Sequence, residues 1–321
     1  MRLGFAVKVL GRPELKSHDT RRWQSSPHLR VSLKHLREVL RYLQQAQIHM
    51  YRMSSDLAPY LTHPDLPQFH SQLEESAADL AAVGALARAL DIRLSLHPAQ
   101  YIVLNSDDEE VARKAALDLV AQARILDLMQ QGPEAVVVVH GDSGAGGLDA
   151  AGERFLQRFR TLPAETQARL GLENDEKVFA LPDTLRVHKA CGIRLVFDLL
   201  HFHVNNPERR PVVAALRAAL STWPAGVTPK IHISSPRTEM HIDERRDPET
   251  GKKLPVVRPP QWSQHSDYAN PFEVIAALEE VRRAGLRPFD IMLELKAKDL
   301  GLLQLRQDFQ RFAPELAELW Q

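Results

Sequence analysis

Ala135-Val136-Val137-Val138-Val139-His140-Gly141 is the stretch that decides the fold. Four consecutive valines suit a strand buried on both faces, as in a parallel sheet covered by helices. The strand then delivers a histidine at its carboxyl end. The same arrangement recurs outward in both directions. Leu94-Ser95-Leu96 leads to His97, Leu170-Gly171-Leu172 to Glu173, Leu195-Val196-Phe197 to Asp198 and on to His201, Lys230-Ile231 to His232, and Ile291-Met292-Leu293 to Glu294. A closed parallel barrel brings such ends to one face, where a metal cluster can be assembled.

Eight short apolar runs alternate with helical patterns. The runs are Arg2–Val7, His49–Ser55, Arg93–Pro98, Ala135–Gly141, Arg169–Asp175, Arg194–His201, Pro229–Ser235 and Phe289–Lys296. Amphipathic segments lie between them at Ser32–Gln47, His70–Leu90, Asp107–Gln131, Leu148–Leu162, Pro182–Cys191, Glu208–Ser221 and Pro271–Ala284, with a last helix over about Leu302–Trp320. Strand and helix in alternation imply parallel pairing through crossover helices. The count is that of a (β/α)8 TIM barrel, read as a single domain over 1–321 with its site on the carboxyl-terminal face. An open doubly wound sheet would not gather ligands from strands so far apart in the chain. Two connections exceed the usual barrel loop. The one at about 8–30 carries Arg12, Lys16, Arg21, Arg22 and Arg30 around Trp23 and His28. The one at about 236–266 carries Arg237, Arg245, Arg246, Lys252, Lys253 and Arg258 with Trp262. Loops of this length are functional or disordered, and both are expected to be basic.

Composition narrows the function. With 41 basic and 41 acidic residues the formal charge is zero, which excludes a globally cationic nucleic-acid binder but permits a local basic face. Cys191 is the one cysteine, so there is no disulfide framework and no thiolate zinc site. No apolar run approaches the roughly 18 residues of a membrane span. Met1-Arg2-Leu3-Gly4-Phe5 reads as a strand start rather than a signal peptide, and a cytoplasmic location is expected.

Histidine and carboxylate donors without cysteine suit manganese, zinc or Fe(II), and the set is large enough for two or three ions. Metals close together clamp the attacking and departing oxygens of an in-line phosphoryl displacement. The expected ligands are His97, His140, Glu173, Asp198, His201, His232 and Glu294, joined by His265 from the long seventh loop. His203 shares a side with His201 if the chain stays extended there; His18, His28, His188 and His241 are read as surface residues. Lys230, two residues before His232, points to the same side of its strand. Near several ions its amine is neutral, held outside the ligand shell, or carboxylated into a bridging anion; an outward snorkelling lysine is the alternative. Gln100 and Tyr101, just past His97, place an amide and an aromatic ring at the barrel mouth, suited to stacking on an unpaired base. Arg52 with Ser54 and Ser55 suits a phosphate grip; Arg52 fits equally a salt bridge to a strand-end carboxylate.

Taken together, these residues resemble the UV-damage endonuclease family. The motifs that carry the resemblance are Ser17-His18-Asp19-Thr20-Arg21-Arg22-Trp23, Tyr51-Arg52-Met53-Ser54-Ser55-Asp56-Leu57, Leu96-His97-Pro98-Ala99-Gln100-Tyr101 and Val139-His140-Gly141, followed by Leu172-Glu173-Asn174-Asp175, Phe197-Asp198-Leu199-Leu200-His201, Lys230-Ile231-His232-Ile233-Ser234-Ser235 and His265-Ser266-Asp267-Tyr268. The resemblance implies a TIM barrel like that of the endonuclease IV family and a divalent metal cluster, most often manganese. It implies incision of duplex DNA immediately 5′ of pyrimidine dimers, 6-4 products and related distortions, leaving a 3′-hydroxyl and a 5′-phosphate. It assigns the eight ligands above, with Glu173, Lys230, His232 and Glu294 as catalytic, Lys230 as the modified lysine, and Gln100 and Tyr101 as the lesion probe. The family often has tyrosine where this chain has Phe5, a third candidate for stacking at the lesion. Arg21, Arg22, Arg52, Ser54 and Ser55 are the expected phosphate contacts. The partner is damaged double-stranded DNA, with no membrane, no obligate protein partner and a monomer expected.

Other readings compete with this one. An apurinic-site endonuclease would use the same barrel and ligands. A metal-dependent sugar isomerase would want a compact pocket lined by tryptophans, whereas Trp23 and Trp262 here lie in the long basic loops and Trp320 in the terminal helix. An amidohydrolase would want His-x-His at the end of the first strand, where this chain has Gly4-Phe5-Ala6-Val7. A damage-binding protein without cleavage has no need of the ligand set.

Overall fold

The structure, a computed structural model, describes residues 1–319, with the side chain of His241 left out. Its strands are β1 (Leu3–Ala6), β2 (Met50–Arg52), β3 (Arg93–Ser95), β4 (Val137–Val139), β5 (Leu170–Glu173), β6 (Arg194–Asp198), β7 (Lys230–Ile233), β8 (His241–Arg246), β9 (Lys253–Arg258) and β10 (Asp290–Leu293). Eight of them form one parallel sheet in the order β3-β2-β1-β10-β7-β6-β5-β4. The sheet closes on itself where Leu96 bridges to Val137: Leu96 N–H donates to Val136 C=O and Val138 N–H to Leu96 C=O, both at 3.0 Å. The eight expected runs are thus the eight barrel strands, each shorter than its apolar run.

The helices are α1 (Leu29–Gln45), α2 (Gln72–Glu75), α3 (Ala77–Ala89), α4 (Glu109–Leu128), α5 (Leu148–Thr161), α6 (Ala164–Arg169), α7 (Leu181–Cys191), α8 (Leu199–Val204), α9 (Val212–Leu220), α10 (Pro271–Arg283), α11 (Lys298–Phe312) and α12 (Pro314–Ala317). Helix α1 shows why they lie where they do. Leu29, Leu33, Leu36, Leu40 and Leu43 fall on one stripe and are fully buried, each contributing about 1.5–3 kcal/mol. Helix α4 starts where the Asp108 carboxylate accepts the N–H groups of Glu110 and Val111, and α10 where the Asn270 amide oxygen accepts that of Phe272. The last helix begins at Lys298, earlier than expected, and breaks before Pro314 because proline cannot continue the hydrogen-bond ladder. Its expected end at Trp320 lies outside the described residues.

Two features of the fold correct the sequence reading. The Arg194–His201 run does not stay extended: the strand stops at Asp198 and α8 begins at once. Two residues along a helix is over half a turn, so His203 is exposed while His201 is buried. The 236–266 loop is a β-ribbon of β8 and β9, paired antiparallel from His241 with Arg258 to Arg246 with Lys253. It is also close to neutral, because Glu239, Asp243, Glu244, Asp247 and Glu249 interleave with its cations.

The close approach of β1 and β2 accounts for Gly4 and Phe5. At Gly4 a Cβ would meet the Met50 carbonyl oxygen at 2.5 Å, so only glycine lets β1 and β2 approach this closely. The neighbouring Phe5 is fully buried and packs edge-on against Tyr51, with ring centroids 5.5 Å apart. Its ring therefore lies in the core and does not reach the barrel mouth to stack at a lesion. Phe5→Ala is expected to lower the unfolding free energy in a urea titration by about 3–5 kcal/mol; a loss under about 1 kcal/mol would show that this ring does not hold the core together.

Candidate metal centre and the face around it

Strand ends set the centre. His97 and His140 come just after the neighbouring strands β3 and β4 and bring their Nε2 atoms 3.1 Å apart. Each Nε2 lies 3.3 Å from Glu173 Oε2 at the end of β5. On the other side His232 Nδ1 is 2.7 Å from Glu173 Oε1 and 3.1 Å from Glu294 Oε1. His201 Nδ1 approaches Glu173 Oε1 at 3.7 Å and Asp198 Oδ1 at 3.8 Å. His265 Nε2 stands 3.7 Å from Glu294 Oε2. The eight residues expected from the sequence thus form one contiguous cluster. Within it His97, His140 and Glu173 offer ligand atoms that lie within 4.8 Å of one another, and so do Glu173, Asp198, His232 and Glu294. Glu173 belongs to both groups, the position of a bridging carboxylate.

Asp198 has three tasks. It ends β6, its Oδ1 accepts the His201 N–H at 2.7 Å to cap α8, and its Oδ2 faces the cluster without a hydrogen-bond partner. Asn174 brackets it: the amide oxygen accepts the Asp198 N–H and the amide nitrogen donates to the Asp198 carbonyl, both at 3.0 Å. Residues that the sequence reading passed over complete the shell. Ser95 takes the Lys230 amine at 3.3 Å, Ser234 pairs with His265 Nδ1 at 2.7 Å, and Glu176 sits 3.7 Å from His201 Nε2. All lie within or beside the strand-end motifs, and Ser95 shares its side of β3 with His97 by the two-residue period. The Lys230 contact reaches across the barrel from β7 to β3, so this lysine points inward and does not snorkel.

Electrostatics fit a cation. Burial pushes His97 and His232 well below the ordinary histidine value, and His140 and His265 to about 4. Burial, with Glu294 and Asp198 nearby, raises Glu173 well above the carboxylate range, and burial lifts Asp198 to about 6. For His201 burial works downward, but Asp198, Glu294 and Glu176 outweigh it and the value rises. Glu294 resists burial because Arg52 and the surrounding histidines hold it well down. Burial thus pushes both partners of the His232–Glu173 contact toward their uncharged forms. Lys230 is driven well below the ordinary lysine value by burial, with Arg52 and Arg93 adding to it. Buried His140 Nδ1, Glu173 Oε2, Asp198 Oδ2 and His232 Nε2 have no hydrogen-bond partner, a cost of about 1–3 kcal/mol each unless something coordinates them. Neutral imidazoles with carboxylates and no thiolate are the donor set of a divalent cation.

The surrounding face sorts the remaining candidates. Arg52 Nη1 donates to Glu294 Oε1, so it serves as the barrel salt bridge rather than a free phosphate grip. Ser54 is buried and its Oγ accepts the Asp56 N–H, whereas Ser55 is half-exposed. Arg21 closes its fork on the buried Asp19 carboxylate, and that hydrogen bonding pulls Asp19 down to about 2; Arg22 is exposed and makes no ion pair among the described residues. Gln100 is exposed, and Tyr101 stands 73% exposed at the rim of a cavity of about 660 Å³. Its walls include His18, Thr20, Ser55, Tyr60 and Asp118, drawn largely from the loops after β1, β2 and β3. Three histidines read as surface residues have partners. His18 pairs with Ser17, His28 caps α1 by accepting the Arg30 N–H, and His188 bonds the Ile193 carbonyl.

The sequence profile of UV-endonuclease UvdE matches residues 16–317. The chain belongs to this family. It is 30% identical over 278 residues to the UV DNA damage endonuclease of Bacillus cereus (strain G9842), covering 86% of this chain and 80% of that one. The Bacillus mycoides (strain KBAB4) UV DNA damage endonuclease is 30% identical over 275 residues, 85% and 79% of the two chains. The crystal structure of SacUVDE superposes with a TM-score of 0.78 at 26% identity, over 97% of this chain and 98% of that one. D-Psicose 3-epimerase of Clostridium cellulolyticum H10 shares the fold alone, with a TM-score of 0.56 at 11% identity over 99% of both chains. This UvdE-family protein is a DNA repair endonuclease with a TIM barrel, and its clustered histidines and carboxylates are able to bind a divalent metal. Among the described residues no helix is long and apolar enough to cross a membrane.

Adding Mn2+ to chelated protein is expected to raise the Tm by an increment that grows with concentration, equivalent to about 2.7 kcal/mol at a hundredfold excess over Kd, and Glu173→Gln is expected to remove most of it. Binding requires Glu173 and Asp198 to be ionised, so the ion-bound form carries fewer protons. Affinity measured by calorimetry is therefore expected to fall as the pH drops through about 6, on the order of tenfold per unit for each carboxyl that must ionise. A Tm increment of equal size at pH 7.5 and pH 5 would contradict this.

Proposed function

We propose that the cluster holds two or three divalent ions, manganese foremost, and that the enzyme incises duplex DNA immediately 5′ of pyrimidine dimers, 6-4 products and related distorting lesions, leaving a 3′-hydroxyl and a 5′-phosphate. The observation that carries this reading is the shared Glu173 carboxylate, buried between two ligand groups on the face where Tyr101 and its cavity open. Bound divalent ions would supply Lewis acidity toward the scissile phosphate and the departing 3′ oxygen. His97, His140, Glu173, Asp198, His201, His232, His265 and Glu294 would hold them. Arg52 neutralises part of the carboxylate charge through Glu294 and fixes the orientation of that side chain.

Lys230 is buried, pushed by its burial toward the neutral form, and held against Ser95. A neutral amine adds to carbon dioxide, forming an N–C bond and releasing a proton, and the resulting carbamate would add an anionic ligand inside the barrel. Gln100 and Tyr101 would probe the lesion. A damaged pair is weakly stacked and costs little to displace, Tyr101 can stack in its place, and the adjoining cavity can receive what is displaced. Arg22 and Ser55 are placed to meet phosphates. The chain would act as one domain over 1–321 and as a monomer on one bent duplex.

A labelled duplex with one cyclobutane dimer, incubated with Mn2+ and resolved on a sequencing gel, is expected to show a single cut directly 5′ of the dimer. Undamaged duplex should stay intact, and Glu173→Gln should lose activity by at least about a hundredfold. Incision of an abasic duplex with none at the dimer would transfer the protein to the apurinic-site class. Tyr101→Ala is expected to cost about 1–3 kcal/mol of lesion-duplex affinity while leaving stability within about 0.5 kcal/mol, as suits an exposed side chain; equal affinities would exclude Tyr101 from the probe.

A further inference from the structure

Among the described residues the β8–β9 ribbon pairs with no other strand, yet it is tied to the candidate centre. Its two legs meet where Pro236 bridges to His265. The Arg237 N–H donates to the Gln264 carbonyl at 2.7 Å and the Ser266 N–H to the Ser235 carbonyl at 3.0 Å. The loop that delivers His265 is therefore the base of the ribbon. At the far end Asp247 Oδ1 accepts the N–H groups of Glu249 and Thr250, and Gly251 takes φ +68°, which closes the turn. Six residues per strand give a length of about 20 Å.

The ribbon carries exposed apolar side chains among its charges, Leu254 on one face and a larger group on the other. Ile242 and Val257 face each other across the strands and are 72% and 60% exposed, with Met240 at 70% just before them. Left bare, such a pair on a two-edged ribbon would favour aggregation. The charges sort unevenly. Lys253 pairs with Glu244 at 2.5 Å, Arg258 with Asp243 at 2.7 Å and Arg237 with Glu239 at 3.7 Å, and Asp247 is occupied by the turn. Among the described residues Arg245, Arg246 and Lys252, all near the tip, make no ion pair, with Glu249 the one acid left over against them.

We propose that this ribbon is an arm that lies in a groove of the duplex flanking the lesion, resting on the DNA-endonuclease assignment above. A two-stranded ribbon fits the roughly 12 Å major groove. Arg245, Arg246 and Lys252 reach the bordering phosphates, while Met240, Ile242 and Val257 cover the sugar and thymine-methyl surface of the groove. Because the arm springs from the His265 loop, its hold on the flank also fixes the register of the scissile phosphate over the centre.

The test is a salt titration of binding, monitored by anisotropy, on an end-labelled duplex of about three helical turns, damaged and undamaged. Arg245→Ala/Arg246→Ala/Lys252→Ala is expected to weaken both complexes at least tenfold and to reduce the slope of log K against log salt by about 2–3. Tm should be unchanged, while the single-turnover rate at saturating damaged duplex should fall because the scissile phosphate is held less firmly over the centre. Ile242→Ser/Val257→Ser is expected to weaken binding with the slope preserved and to shorten the hydroxyl-radical footprint on one flank. Wild-type affinity, slope and footprint in both variants would overturn the proposal. So would unaltered DNA binding together with loss of a concentration-dependent dimer from Ile242→Ser/Val257→Ser, which would assign the surface to a second copy of this chain. Undamaged duplex reads the arm even if the wild-type protein fails to nick at a dimer, so the two readings fail separately.

Discussion

Glu173 is completely buried with two further carboxylates and five histidines gathered around it, and this is the constraint on which the rest of the structure turns. An ionised carboxylate removed from water costs several kcal/mol unless charge of the opposite sign or coordination replaces the lost hydration. Protein groups meet that cost only in part. Arg52 serves Glu294, Lys230 is itself driven toward neutrality, and burial pushes the His97 and His232 imidazoles the same way. The arrangement is consistent if cations complete it, and it would be hard to sustain in a protein that used the barrel only as a scaffold. The Asn174–Asp198 bracket, the Ser234–His265 pair and the cap at α8 then have one purpose, which is to hold ligand atoms in place before any ion arrives.

The barrel and the strand-end residues were legible in the chain because both rest on local chemistry. A valine run buried on both faces, repeated with crossover helices, admits few topologies, and parallel closure delivers every strand end to one face. What escaped reading was tertiary. Phe5 looked like a mouth residue from its place in a motif, yet the glycine before it draws β1 against β2 and puts its ring on Tyr51. Extending the strand through His201 missed the helix that Asp198 itself starts, since this one residue both ends β6 and caps α8. The five acids of the 236–266 loop were already in the sequence, but which cations they occupy is set by the strand pairing that brings Glu244 to Lys253 and Asp243 to Arg258.

Zero net charge and a polyanionic substrate are reconciled by where the cations are left unpaired. In the first long loop Arg21 is taken up by Asp19 while Arg22 stays free among the described residues. In the ribbon Arg237, Lys253 and Arg258 are taken up by ion pairs, and among the described residues Arg245, Arg246 and Lys252 stay free toward the tip. Such placement gives a local field over the carboxyl face without a global excess. Under the proposed function, recognition of damage would rest on the low cost of distorting a weakened duplex, with Tyr101 exposed beside the cavity on this face.

We propose the buried cluster as a divalent metal centre with Glu173 shared between its two ligand groups. Anomalous diffraction from a crystal grown with Mn2+, collected on both sides of the manganese edge, tests it most directly. The expected result is two or three anomalous peaks, one beside His97, His140 and Glu173 and another beside Glu173, Asp198, His232 and Glu294, with both Glu173 oxygens engaged. A cluster without anomalous density at saturating manganese, with its carboxylates paired to protein cations instead, would contradict it.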